Sequence, residues 1–162
     1  FVTFKNTHLA EHHRFNRLSG QVNAQGEASI NIDLASIDSR IPVRDERMQN
    51  LLFNVSEFAN ARISATLPQS ILSSQQPTQF ELQGHLELHG ESEAFNVPVL
   101  VTPSLNGQVV VSSLAPVMIH ADGFALTAGI RQLRDIAKLD SIAEVVPVHF
   151  TLNFANASKA KD

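Results

Sequence analysis

Apolar and polar residues alternate along most of the chain, and this pattern is typical of β-strands with one buried face. In the clearest example, Ile30, Ile32 and Leu34 are separated by Asn31 and Asp33. The strongest alternation predicts strands around residues 30–34, 80–88, 95–101 and 146–154. Weaker alternation predicts strands near residues 1–5, 14–23, 61–67, 108–112 and 116–120. The chain is therefore expected to contain eight or nine strands.

Short turns separate these strands, and short turns join antiparallel neighbours. The turn signals are Gln25-Gly26, His89-Gly90 and Asn106-Gly107. Two segments change to helical spacing, at residues 42–53 and 128–139. The sequence therefore predicts an all-β antiparallel sandwich or closed barrel with one or two short helices. We expect a single domain over residues 1–157 and a frayed tail over residues 158–162.

The composition narrows the function classes. The 162 residues carry a formal net charge of −4 and include no cysteine. Disulfides and thiolate chemistry are thereby excluded, and nucleic acid is not expected as a partner. No apolar run approaches the ~20 residues of a membrane-spanning helix. The chain has ten phenylalanines but no tryptophan or tyrosine, and rings without a polar group suit an apolar interior.

Seven histidines raise the question of a metal site. His85 and His89 are four residues apart, but in a strand this spacing separates them by about 13 Å, too far for one ion. Five histidines are predicted on the solvated surface: His8, His12, His13, His85 and His149. An enzyme or metal protein built around the first three of these stays open as a minor alternative.

No sequence pattern supports catalysis. The chain lacks a Gly-x-Ser-x-Gly nucleophile motif and a glycine-rich phosphate loop, so we expect neither an enzyme nor a cofactor. The densest charged cluster is Arg40, Arg44, Asp45, Glu46 and Arg47. This cluster is either the solvated side of a short helix or, at the mouth of a barrel, a site for an anionic or polar head group.

Two sequence blocks resemble a known family. The first contains Ala35-Ser36-Ile37-Asp38 and Arg44-Asp45-Glu46, followed by Phe53, Phe58 and Ile63. The second is Gly84-His85-Leu86-Glu87-Leu88-His89-Gly90 followed by Asn96-Val97-Pro98-Val99. Together they resemble the YceI-like family of secreted polyisoprenoid-binding proteins. The chain departs from the family pattern at Ser39, where the family has Thr, and at Arg47, where it has His.

The resemblance implies an eight-stranded antiparallel lipocalin-like barrel. It further implies that a long isoprenoid, quinone or fatty-acyl lipid binds inside the barrel, with the protein as carrier or storage protein. The expected location is periplasmic or secreted, with a signal peptide presumed removed before Phe1, and a second copy of the chain is a candidate partner. Periodicity alone favours the alternative, a filled barrel without ligand that acts as a structural or protein-interaction module.

The predicted ligand-binding residues are the inward-facing apolar positions and two charged residues at the rim. They are Ile30, Ile32, Leu34, Arg44, Asp45, Phe53, Phe58, Ile63, Leu82, Leu86, Leu88, Phe95, Val97, Val99, Phe150 and Leu152.

Overall fold

The computed structural model describes residues 1–104 and 108–154. Thirteen strands lie in these ranges: β1 (Val2–Lys5), β2 (Leu9–His12), β3 (Arg14–Phe15), β4 (Leu18–Val22), β5 (Glu27–Asp33), β6 (Ile37–Asp38), β7 (Asn60–Thr66), β8 (Thr78–Leu88), β9 (Glu91–Pro103), β10 (Val109–Ser113), β11 (Val117–His120), β12 (Val145–Val148) and β13 (Thr151–Phe154). The α-helices of the same ranges are α1 (Pro42–Arg47), α2 (Gln69–Leu72) and α3 (Thr127–Ile136). A π-helical turn, Met48–Leu52, extends α1.

Seven strands form one antiparallel sheet that curves into a nearly closed barrel. Their order is β13-β10-β9-β8-β7-β5-β4. The two edge strands, β4 and β13, lie side by side, but within the described residues no hydrogen-bonded ladder joins them. The predicted all-β barrel class is therefore confirmed, whereas the predicted count of eight strands is not.

Kinks in the long strands explain why the count differs. Three two-stranded ladders, β1-β2, β3-β6 and β11-β12, lie outside the large sheet. Residues 114–116 separate β10 from β11, and residues 149–150 separate β12 from β13, because neither segment is part of a strand. The β1 strand is hydrogen-bonded to the segment just before β12, where the Ala143 N–H donates to the Phe4 carbonyl at 2.8 Å. The sequence prediction already separated the strands near residues 108–112 and 116–120, whereas alternation continues over residues 146–154 and does not reveal the break at residues 149–150.

The local signals for turns and helices agree with the structure. His89 and Gly90 connect β8 to β9 with φ angles of 54° and 85°, the left-handed backbone that a tight hairpin needs. Pro42 stands in the first turn of α1, where its missing N–H costs no hydrogen bond. The sequence prediction missed β2, β6 and α2. The predicted Asn106-Gly107 turn and the tail at residues 158–162 lie outside the described residues.

Two apolar clusters fill part of the interior. The helix-side cluster includes one residue of the π-helical turn and one of α3, and its members are Leu34, Ile37, Met48, Phe53, Ala61, Leu88, Ala121, Phe124, Leu126 and Ile130. The sheet-side cluster consists of Leu67, Ile71, Leu82, Val97, Val99, Val101, Val111 and Val117. Across residues 1–104 and 108–154, no helix has the length and apolar character needed to cross a bilayer.

Candidate functional site

The barrel encloses a cavity of about 680 Å³, which members of both apolar clusters line. This volume falls within the range of ligand pockets, roughly 300–1,000 Å³. Twelve of the sixteen predicted ligand-binding residues lie on its wall: Ile30, Ile32, Leu34, Arg44, Phe53, Ile63, Leu82, Leu86, Leu88, Phe95, Phe150 and Leu152. The alternation of side chains along each strand brings them together, because every second residue of a strand points to the same face.

The exposure of the inward-facing residues shows which part of the barrel is open. Val97 and Val99 are 1% and 0% exposed and pack within the sheet-side cluster. Ile63 and Leu86 are only half-buried, although both line the cavity. If an interior side chain retains accessible surface, it borders a space that no other side chain fills. The barrel is thus packed around Val97 and Val99 and empty beside Ile63 and Leu86.

Four of the predicted ligand-binding residues do not lie on the cavity wall. Val97 and Val99 are enclosed by the sheet-side cluster, as described above. The Phe58 ring packs against the ring of His89, with 4.6 Å between their centroids. Asp45 Oδ1 accepts the Ser39 N–H at 2.8 Å, so this carboxylate braces the segment that precedes α1.

The predicted rim residue Arg44 belongs to a polar group on the cavity wall beside α1, and sequence reasoning missed the other two members, Lys5 and Glu11. Glu11 Oε2 accepts a hydrogen bond from Lys5 Nζ and another from Arg44 Nη1, each at 2.8 Å, and all three residues line the cavity. Burial alone would raise the pKa of Glu11, but Lys5 and Arg44 together hold it below its usual range. The carboxylate is therefore ionised at neutral pH and bridges the two cations.

His13 lies next to this group, and the structure corrects its predicted position. It is 5% exposed, not on the solvated surface, and it lines the cavity. Its Nε2 is 2.9 Å from Thr3 Oγ1, and its Nδ1 has no hydrogen-bond partner among the described residues. Burial lowers the pKa of His13 below its usual range, and the charge of Arg44 lowers it further.

A period-two signal could have revealed these residues. Phe1, Thr3 and Lys5 share one phase of alternation, as do Glu11, His13 and Phe15, and all six line the cavity. In each set, polar side chains occupy positions in phase with a phenylalanine. Because sequence patterning assigns polar residues to the outer face, the prediction placed His13 on the solvated surface and did not identify Thr3, Lys5 or Glu11 as cavity residues.

The remaining histidines give no metal site. His8, His12 and His85 are exposed, as predicted. His149 is also exposed, as predicted, and it borders the cavity in the segment between β12 and β13. Within residues 1–104 and 108–154, no three histidine, aspartate or glutamate side chains are grouped closely enough to hold a metal ion.

The cavity reaches the surface beside α1 and β4. Leu18, Ile41 and Val43 belong to its wall and are 48%, 41% and 50% exposed. Arg44 and Arg47, one helical turn apart in α1, also line the cavity. The opening thus combines exposed apolar side chains with basic groups, an arrangement suited to a molecule with an apolar chain and a polar end.

Comparisons with known proteins agree with this geometry. The sequence profile of the YceI-like domain matches residues 1–154. A polyisoprenoid-binding domain from Saccharophagus degradans, implicated in plant cell wall breakdown, is 31% identical with a TM-score of 0.91, and the match covers 96% of this chain and 91% of that one. None of the curated proteins searched gives a significant match to the chain.

Two more distant structures share the fold. BcnA of Burkholderia cenocepacia is 20% identical with a TM-score of 0.71, and the match covers 94% of this chain and 93% of that one. The YCEI protein of Campylobacter jejuni is 14% identical with a TM-score of 0.66, covering 94% and 91% respectively. At this identity the two structures support the fold alone.

Proposed function

On the premise that this chain belongs to the YceI-like domain family, we propose that it binds a long-chain isoprenoid, quinone or fatty-acyl lipid inside the barrel. The observation that carries the proposal is the cavity of about 680 Å³, whose wall is built mainly of aliphatic and phenylalanine side chains. The Saccharophagus degradans protein, a polyisoprenoid-binding domain with nearly the same fold, supports the choice of ligand class.

The energetics of burial are sufficient for such a ligand. Each buried CH₂-sized group contributes ~0.8 kcal/mol, so one five-carbon isoprene unit contributes about 4 kcal/mol. Three buried units would contribute roughly 12 kcal/mol, against association costs of at least ~4 kcal/mol. The remainder, up to about 8 kcal/mol, corresponds to micromolar binding.

The proposed role is that of a carrier or storage protein, not an enzyme. The predicted alternative, a filled barrel acting as a structural or protein-interaction module, does not account for half-buried Ile63 and Leu86 on the wall of an empty cavity. We further propose, from the family resemblance, that the protein acts in the periplasm or after secretion. Fractionation of cells that express the full-length gene product tests this location.

Native mass spectrometry of the purified protein tests the proposed binding. We expect an additional mass of about one lipid per chain that is lost on denaturation, with the lipid identified in an organic extract. If the protein is recovered empty, titration with a polyprenol follows, and saturable binding at one site is expected. An empty protein that also fails to bind polyprenol, quinone and fatty acid would refute the proposal.

A further inference from the structure

Beside α1, the cavity wall carries more basic than acidic side chains. Lys5, Arg44 and Arg47 all line the cavity there, and Glu11 is the one acidic residue on the described part of that wall. Arg14 also lines the cavity, but its guanidinium is paired with Asp38 at 3.0 Å. We call Lys5, Glu11, Arg44 and Arg47 the mouth cluster. The cluster carries net positive charge in a protein whose formal net charge is −4.

The contacts within the mouth cluster leave this positive charge uncompensated. One carboxylate oxygen of Glu11 accepts hydrogen bonds from both Lys5 and Arg44, so a single negative charge is paired with two positive charges. In residues 1–104 and 108–154, no carboxylate lies within ion-pair distance of Arg47. His13, the neighbouring titratable group, adds no lasting charge at neutral pH because its pKa lies below the usual range.

The cluster also keeps hydrogen-bond donors available. A lysine ammonium has three N–H donors and an arginine guanidinium has five. Within the described residues, Lys5 and Arg44 each direct one donor nitrogen to Glu11. Their side chains are only 19% and 26% exposed, so little bulk water can solvate the remaining donors. A partly desolvated cation with free donors at the edge of an apolar cavity favours an anionic acceptor.

We infer that the ligand is an amphiphile with an anionic head group, a phosphate or a carboxylate, held by Lys5 and Arg44 at the mouth while its apolar chain occupies the cavity. This inference rests on the proposed lipid-binding function and narrows it. Glu11 holds the two cations side by side, and its own charge weakens their attraction for the ligand. Arg47 contributes long-range attraction from its exposed position on α1.

Probes with matched chains test the head group. Farnesyl monophosphate is compared with farnesol, and palmitate with hexadecanol, by competition against a fluorescent lipid at concentrations below micelle formation. Because a charge-assisted hydrogen bond changes affinity by about ten- to a hundred-fold, the wild-type protein is expected to bind one or both anionic probes at least about ten-fold more tightly than the matching alcohol. The two pairs also show whether phosphate or carboxylate is preferred.

Variants of opposite expected sign separate a head-group role from a structural one. Arg44→Gln is expected to reduce the preference for the anionic probe, the ratio of the farnesol and farnesyl monophosphate dissociation constants, to within about three-fold. Lys5→Gln provides the same test should Arg44→Gln fail to fold. Glu11→Gln is expected to strengthen the preference, because it removes the competing negative charge. Arg131→Gln, at an exposed site on α3 away from the cavity, is the matched control and is expected to behave as wild type.

The outcomes distinguish this inference from the proposed function. Equal binding of alcohol and anion by the wild-type protein would overturn the anionic head group and leave lipid binding intact. A preference for the anion that survives both Arg44→Gln and Lys5→Gln would also overturn it, because the charge would act elsewhere. Failure of all four probes to bind would overturn both proposals together.

Discussion

Filling the cavity from one position on its wall should weaken lipid binding without unfolding the barrel. Leu86, two residues before the end of β8, is half-buried, lines the cavity and lies opposite Ile63 of β7. The Leu86→Trp substitution adds about six heavy atoms, roughly the size of one five-carbon isoprene unit. The indole has room to enter the cavity of about 680 Å³, so the barrel should remain folded.

The expected loss of affinity follows from the displaced part of the ligand. At ~0.8 kcal/mol per CH₂-sized group, excluding one isoprene unit costs about 3–4 kcal/mol of binding free energy. This corresponds to a two- to three-order-of-magnitude increase in the dissociation constant, at about 1.4 kcal/mol per factor of ten. A ligand that shifts along the cavity would lose less, so this range is an upper value.

Titration with a fluorescent polyprenol, together with chemical denaturation, measures the effect. His85→Trp, the adjacent residue on the outer face of β8, is the matched control and should bind as wild type. Val97→Trp should instead destabilise the fold by at least about 1–3 kcal/mol, because Val97 is 1% exposed in a packed cluster. A folded Leu86→Trp protein with unchanged affinity would refute the assignment of this cavity as the lipid site.

Two further predictions concern residues near the mouth. Asp45→Ala should lower the free energy of unfolding by about 1–3 kcal/mol, because the Ser39 N–H loses its acceptor in a buried position. The affinity for farnesol should stay the same. A loss of binding without a loss of stability would instead show that Asp45 contacts the ligand. The stability of the wild-type protein should fall as the pH drops below about 6.5, because the unfolded chain binds a proton that buried His13 resists. The change in unfolding free energy between pH 7.5 and 5.5, measured by denaturant titration, should be smaller for His13→Gln than for the wild-type protein. Equal changes in the two proteins would contradict this account.

Much of the barrel could be predicted because its strands obey a simple rule. The alternation at residues 30–34 and 80–88 corresponds to β5 and β8, and it places Ile30, Ile32, Leu82, Leu86 and Leu88 on the inner face as expected. The two predicted strands near residues 108–112 and 116–120 correspond to β10 and β11, so the break around residues 114–116 was predicted. The break at residues 149–150 was not predicted, since alternation over residues 146–154 shows which face each residue takes but not whether the ladder continues. The predicted count of eight barrel strands was not confirmed, because part of the chain forms two-stranded ladders outside the seven-stranded sheet.

The site was predictable where it is apolar and less so where it is polar. Ile30, Ile32 and Leu82 could be placed on the inner face from alternation alone. Lys5, Glu11 and His13 could not, because a polar residue faces the interior only where partners stabilise it, and periodicity does not identify those partners. Glu11 and Arg44 are 33 positions apart, and the sequence between them contains no local signal of their contact. Alternation also cannot distinguish a packed interior position such as Val97 from one that faces empty space.

The boundary between β4 and β13 sets how the barrel can open. Six backbone ladders hold the other boundaries of the seven-stranded sheet, so widening any of them breaks main-chain hydrogen bonds. Separating β4 from β13 breaks side-chain contacts instead, and Leu18, Val22, Leu152 and Phe154 of these two strands all line the cavity. A lipid bound as proposed would therefore have a lateral route out of the barrel beside β4 and β13, in addition to the opening beside α1.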